Sequence, residues 1–181
     1  MSRQQAGALG CGTVGISFLV TLVALAELLL GEEIGKGGVS TLYNWVTAGS
    51  FTLNLSILVD SLSIFMLLIV TGVGFVIHVY SVGYMEKDPE FNRFFSYLNF
   101  FIFSMALLVL AADFFFLIVG WAMVGLASYL LIGFWKEKTS AVLAARKAFV
   151  MNVIGDVGMV IAAFIIFENL GTLSFLDVFA A

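Results

Sequence analysis

Residues 114–135 read FFFLIVGWAMVGLASYLLIGFW, a continuous apolar run without a single charge. A hydrocarbon layer ~30 Å thick is crossed by about 20 such residues in a helix. Four further stretches meet the same requirement: residues 8–30, 56–80, 94–112 and 148–167. The bilayer core offers no water to backbone N–H and C=O groups, so each stretch must satisfy them internally as a helix. The expected fold is therefore an all-α integral membrane protein with five spans. Composition agrees. The chain is 62% hydrophobic and 11% charged, whereas a soluble domain carries roughly a quarter charged residues. A net charge of −4 and few basic residues leave the lipid bilayer as the natural partner and make nucleic acid a poor one.

The connections add detail. GEEIGKGG, residues 31–38, reads as a polar turn, and the alternation in SFTLNLSI, residues 50–57, suits a short strand or hairpin on the membrane surface. Spans three and four meet at Ala112 and Asp113 with almost no loop, which predicts a tight antiparallel hairpin. LGTLSFLDVFAA, residues 170–181, reads as a short amphipathic segment at the outer surface. The first apolar run is longer than the about 7–15 residues of a signal peptide, so it is read as a retained span. If the spans alternate, Arg3, Lys87, Arg93, Lys136, Lys138, Arg146 and Lys147 share one side and only Lys36 falls on the other. The positive-inside rule then places the N-terminus in the cytoplasm of a bacterium or an equivalent energy-transducing compartment.

Ionisable groups inside the spans carry the functional signal, because a charge in hydrocarbon costs ~2.5–3.5 kcal/mol even on lenient scales. Asp156 lies nine residues past Lys147, about 13–14 Å deeper along a helix. Asn152 stands one turn before it on the same face. Gly155 and Gly158 are expected to admit a neighbouring helix there. Asp156 reads as a proton-relay carboxylate or as a structural acid bonded to an adjacent helix. Asp60 and His78 share one face of the second span, ~27 Å apart. Asp60 reads as a helix cap or a path residue. His78 reads as an interfacial anchor or as a proton carrier at the cytoplasmic mouth. Glu27, Asp113 and Glu168 lie near span ends and receive no role.

Other chemistries find no support in the residues. There is no nucleophile–base pair, no phosphate-binding loop and no metal-ligand cluster. The single cysteine, Cys11, allows no internal disulfide. No catalytic residue, metal or cofactor is expected.

The residues do match a family pattern. Residues 58–85 (LVDSLSIFMLLIVTGVGFVIHVYSVGYM), 93–121 (RFFSYLNFFIFSMALLVLAADFFFLIVGW), 124–135 (VGLASYLLIGFW) and 147–156 (KAFVMNVIGD) resemble the largest antiporter-like membrane subunit of respiratory complex I. This is the subunit L or subunit 5 family, which is related to Mrp-type antiporter subunits. The resemblance runs from about residue 8 to the end. It implies proton translocation in a membrane arm, driven by NADH oxidation and quinone reduction elsewhere, with no redox centre in this chain. It also implies one further span ahead of residue 8 and many after residue 181, among them those with the pumping lysines. Residues 1–181 are thus expected to form a partial antiporter-like transmembrane domain, roughly a third of a subunit.

Two positions depart from that pattern. The family carries a glutamate after Gly-Trp, where this chain has Ala122, and an arginine in the later span, where it has Val153. Asn152 and Asp156 match. Three functions follow. One is a proton-translocating complex I subunit, part of a translocase and not catalytic by itself, whose partners are other membrane subunits or chains supplying the missing helices. The second is a subunit of a cation/proton antiporter. The third is a scaffold that has lost pumping with the acid at position 122.

Overall fold

The computed structural model describes residues 2–30, 38–48 and 51–181. The predicted GEEIGKGG turn and Lys36 lie largely outside them. Among the described residues five helices are long and apolar enough to cross a membrane: α1 (Arg3–Leu29), α2 (Ser61–Tyr84), α3 (Phe91–Val109), α4 (Phe114–Ile132) and α5 (Thr139–Leu170). A two-stranded antiparallel hairpin, β1 (Gly38–Ala48) and β2 (Phe51–Val59), separates α1 from α2. A short α6 (Phe175–Ala180) follows α5. Helices α1, α2 and α3 pack against one another, α4 packs on α3, and α5 packs on α4.

The element boundaries have local causes that hydropathy does not register. Helix α1 starts at Arg3 because Ser2 and Gln5 form a capping box, the Ser2 hydroxyl taking the Gln5 N–H while the Gln5 side chain takes the Ser2 N–H. The second span was expected from residue 56. Instead residues 56–59 complete β2, pairing with β1 from Gly38 to Thr41, and Asp60 starts the helix. The fifth helix begins at Thr139, nine residues before the predicted apolar run: residues 139–147, with Arg146 and Lys147 among them, continue the same helix. It ends at Gly171, whose φ of 71° gives the left-handed C-cap that glycine adopts without steric cost.

Backbone hydrogen bonds join three segments at one end of the bundle. Leu58 N–H donates to Leu110 O (2.9 Å), Phe114 N–H to Leu173 O (3.0 Å) and Phe175 N–H to Ala112 O (3.1 Å). Trp45 of the hairpin stacks on Phe116 and meets Phe115 edge-on, with centroids 5.4 and 5.7 Å apart. At the opposite end Arg3 donates to Glu86 O (2.8 Å), Arg93 to Phe134 O (3.2 Å), and the Trp135 indole to Asp88 (3.1 Å). Arg3, Arg93, Lys136 and Lys138 therefore lie at this end, at the starts of α1 and α3 and in the turn between α4 and α5; Lys87 lies in the turn between α2 and α3, and Arg146 and Lys147 in the first turns of α5.

Glycines set how closely the helices approach. A Cβ on Gly120 of α4 would lie 2.7 Å from both the N and Cα of Leu108 in α3. On Gly74 of α2 it would lie 2.6 Å from Ile102. These are glycine positions because the partner's atoms already occupy the space.

Candidate functional site

Helices α4 and α5 run antiparallel, and their register follows from three contacts. A Cβ on Gly133 would fall 3.1 Å from Ala145 Cβ, the Tyr129 and Phe149 rings lie 5.4 Å apart, and Asn152 presses on Gly125. A Cβ at Gly125 would come within 2.8 Å of Asn152 Cγ. One turn further along the same pairing, Ala122 stands at the level of Asp156. The Asn152 amide donates to Asp156 Oδ1 at 3.3 Å, and both side chains are half-buried. At Gly155 and Gly158, expected to admit a neighbouring helix, nothing from the described residues lies within 4 Å of a Cβ. The close approach is at Gly125, and Asn152 fills the space its missing side chain leaves. Ala122 is exposed, as are its neighbours Trp121 and Leu126, so the close approach of α5 falls at Gly125 and not at Ala122. Val153 is also exposed.

His78 stands toward the cation-rich end of α2. It is fully buried, six residues before the end of α2. Its Nδ1 lies 2.7 Å from the Gly74 carbonyl. A carbonyl only accepts, so Nδ1 carries the proton and Nε2 presents a lone pair. Nε2 has no hydrogen-bond partner, and the ring lies edge-on to Phe95. Burial arises because Gly74 lets α3 close over this part of α2. Asp60, at the other end of α2, is the N-cap: its carboxylate accepts the Ser63 N–H at 2.7 Å, while the Ser63 hydroxyl accepts the Asp60 N–H at 2.8 Å. Asp60 thus has the helix-capping role, one of the two expected of it. Of the four predicted site residues, Asn152 and Asp156 come together, while His78 and Asp60 stay in separate surroundings.

One acid left without a role stands out. Asp113 is 8% exposed and caps α4, accepting the Phe116 N–H at 2.8 Å. It borders a polar cleft of about 280 Å³ shared by the hairpin, the α3–α4 turn and the segment before α6, with Thr41, Asn54, Ser56 and Ser174 in its wall. Burial pushes the Asp113 carboxyl above its ordinary range, against the lowering effect of the Phe116 and Phe115 N–H groups. The residue type and its place at a span end gave no sign of this, since the cover comes from two segments distant in sequence. At the opposite end, the Glu90 N–H and then the Trp135 indole hold the exposed Asp88 below its ordinary range. Among the described residues no group of His, Cys, Asp and Glu is arranged to hold a metal ion.

Five apolar helices long enough to cross a membrane, with a paired acid and amide inside the fifth, define an integral multi-pass membrane protein. Residues 45–95 match the family model for the N-terminus of chain 5 of NADH-ubiquinone oxidoreductase (complex I), and residues 111–181 match the transmembrane family model for NADH:quinone oxidoreductase and Mrp antiporters. NADH-quinone oxidoreductase subunit L of Mycobacterium tuberculosis is 46% identical over 172 residues, 95% of this chain and 27% of that protein. The Escherichia coli subunit L is 41% identical over 178 residues, 96% of this chain and 28% of that protein. The fold is similar to a chain in the structure of the Mrp complex from Dietzia sp., with a TM-score of 0.75, 23% identity and coverage of 98% of this chain and 21% of that one. The chain belongs to the subunit L/chain 5 family of complex I antiporter-like membrane subunits, and it spans about a quarter of the length of these curated relatives.

Proposed function

We propose that this chain works in the membrane arm of a proton-translocating NADH:quinone oxidoreductase, where it supplies part of a proton path and no redox centre. The observation that carries the proposal is the Asn152–Asp156 pair, set against Gly125 in the segment that matches the transmembrane family model. Asp156 is the relay carboxylate, and Asn152 orients it. His78 offers a second relay point, since its buried Nε2 lone pair is free to accept a proton. In this reading residues 1–181 are a partial antiporter-like domain, and other membrane chains cover the open faces of α4 and α5. The cation-rich end, with the N-terminus, faces the cytoplasm of a bacterial or equivalent energy-transducing membrane.

The test is Asp156→Asn in the assembled complex, with protons pumped per NADH measured in sealed vesicles. The ratio is expected to fall while assembly stays normal; an unchanged ratio sinks the relay role. The antiporter reading rests on the shared Mrp family model and predicts sodium- or potassium-dependent proton exchange without NADH. The scaffold reading rests on Ala122. It predicts that Ala122→Glu, in a normally assembled complex, gives no gain in pumping.

A further inference from the structure

At the cation-rich end, α3, α4 and α5 leave a cavity of about 290 Å³ between Tyr97, Tyr129, Phe134, Lys136 and Ala145. Its walls are mainly apolar, and they include Gly133, the C-cap of α4; the end of a span is where headgroups meet a membrane helix. Lys136 stands at its edge. Arg146 follows the wall residue Ala145 and is one turn past Val142, which also lines the cavity.

The charges here are not balanced within the described residues. Between Trp135 and Phe149 the chain carries Lys136, Lys138, Arg146 and Lys147 against Glu137 alone. Elsewhere at this end Arg3 and Arg93 are engaged by carbonyls, Arg93 also by Glu90, and Lys138 lies over the Trp135 ring at 4.5 Å. Lys136 and Arg146 are exposed and have no hydrogen-bond, ion-pair or ring partner among the described residues. An apolar cavity at headgroup depth beside two uncompensated cations calls for a ligand with a hydrocarbon chain and an anionic head. A zwitterionic lipid would bring its own cation into the same field, and an apolar partner helix would fill the cavity but leave both cations unpaired.

We propose that this cavity binds one anionic glycerophospholipid, with an acyl chain in the cleft that α3, α4 and α5 line together and the phosphate on Lys136 and Arg146. The amphipathic rings of Tyr97 and Tyr129 fit this depth, where tyrosine is favoured at membrane interfaces. The site stands independently of whether Asp156 relays protons.

The test uses the purified chain in mild detergent, mixed with equal amounts of phosphatidylglycerol and phosphatidylcholine, with bound lipid counted by native mass spectrometry. The wild type is expected to retain a single phosphatidylglycerol in clear preference to phosphatidylcholine. The preference should drop roughly fivefold for each cation removed in Lys136→Gln and Arg146→Gln. Lys87→Gln, which removes a cation at the same end but away from the cavity, should leave it unchanged. Equal retention of the two lipids by the wild type overturns the proposal without recourse to any variant. So does an equal loss of preference in Lys87→Gln, which would mean a diffuse field and no site.

Discussion

The contact between Gly120 and the α3 backbone gives a prediction whose sign can be worked out. In Gly120→Ala the new methyl carbon would stand 2.7 Å from Leu108 N and Cα. Ordinary carbon contacts begin near 3.5 Å, so α3 and α4 must part by most of an ångström. The obstructing atoms belong to backbone, so no rotamer change relieves the clash. Overpacking of this kind costs typically ~1–3 kcal/mol, while replacing a helix-interior glycine by alanine returns about 1 kcal/mol of propensity. The net expectation is a loss of up to about 2 kcal/mol. Gly155→Ala is the matched comparison. Nothing lies within 4 Å of its added Cβ, so the propensity gain stands alone and stability should rise by up to about 1 kcal/mol. Unfolding of the purified chain by a denaturing detergent, followed by circular dichroism, separates the two. If Gly120→Ala is as stable as Gly155→Ala, the α3–α4 contact described here is wrong.

Substitutions at two further contacts test particular bonds. Because the Asp113 carboxyl is raised in the folded chain, folding is favoured below its ordinary range, where it is protonated in both states, and is penalised as pH climbs through and above that range. Asp113→Asn retains a capping side chain without the buried charge, so its stability should depend less on pH. Asp113→Ala should lose about 1 kcal/mol for the missing cap. Unfolding midpoints in a pH series check both; an Asn variant with the wild-type pH profile would show that Asp113 does not titrate differently in the two states. Thr13 Oγ1 donates to Asn99 Oδ1 at 2.9 Å between α1 and α3. A double-mutant cycle with Thr13→Val and Asn99→Leu should return a coupling of about 0.6 kcal/mol, the usual size for such bonds in membranes, and zero coupling would refute the bond.

The five spans were legible because a hydrocarbon solvent leaves a helix no alternative, and a run of apolar residues is visible without any partner. The hairpin was legible from alternation. What hydropathy misread were segments where another rule governs. Residues 56–59 are apolar enough to extend a span, but they pair with β1, and the Asp60–Ser63 box starts the helix after them. Residues 139–147 are too polar to register as a span, yet they continue the same helix out of it. For the site, the Asn152–Asp156 spacing was readable because it is local to one helix. The depth of His78 was not, since it depends on α3 closing over Gly74. Glycine marks a small residue and not the direction of a neighbour, which is why Gly155 and Gly158 drew attention that Gly125 merited.

The register of α4 on α5 sharpens what Ala122 means. Gly125 receives Asn152, and one turn on, Ala122 stands level with Asp156. Asp156 is the one carboxylate among the described residues placed in the middle of a span. An acid at position 122 would be a second carboxylate at the same depth, close enough along the pair of helices for the two to share a path. The exposure of Ala122 then has a definite consequence. On a surface facing lipid, a glutamate there would cost ~2.5–3.5 kcal/mol on insertion scales; on a surface covered by protein or lining water, much less. Alanine is tolerated in either setting, so the side chain at 122 does not require a neighbouring helix, whereas the half-buried Asn152–Asp156 pair does favour one. The two residues thus pull in different directions. Retention of Asp156 with its amide partner, beside a glycine that makes room for them, is the stronger constraint, because an intramembrane carboxylate is costly to keep and an alanine costs nothing.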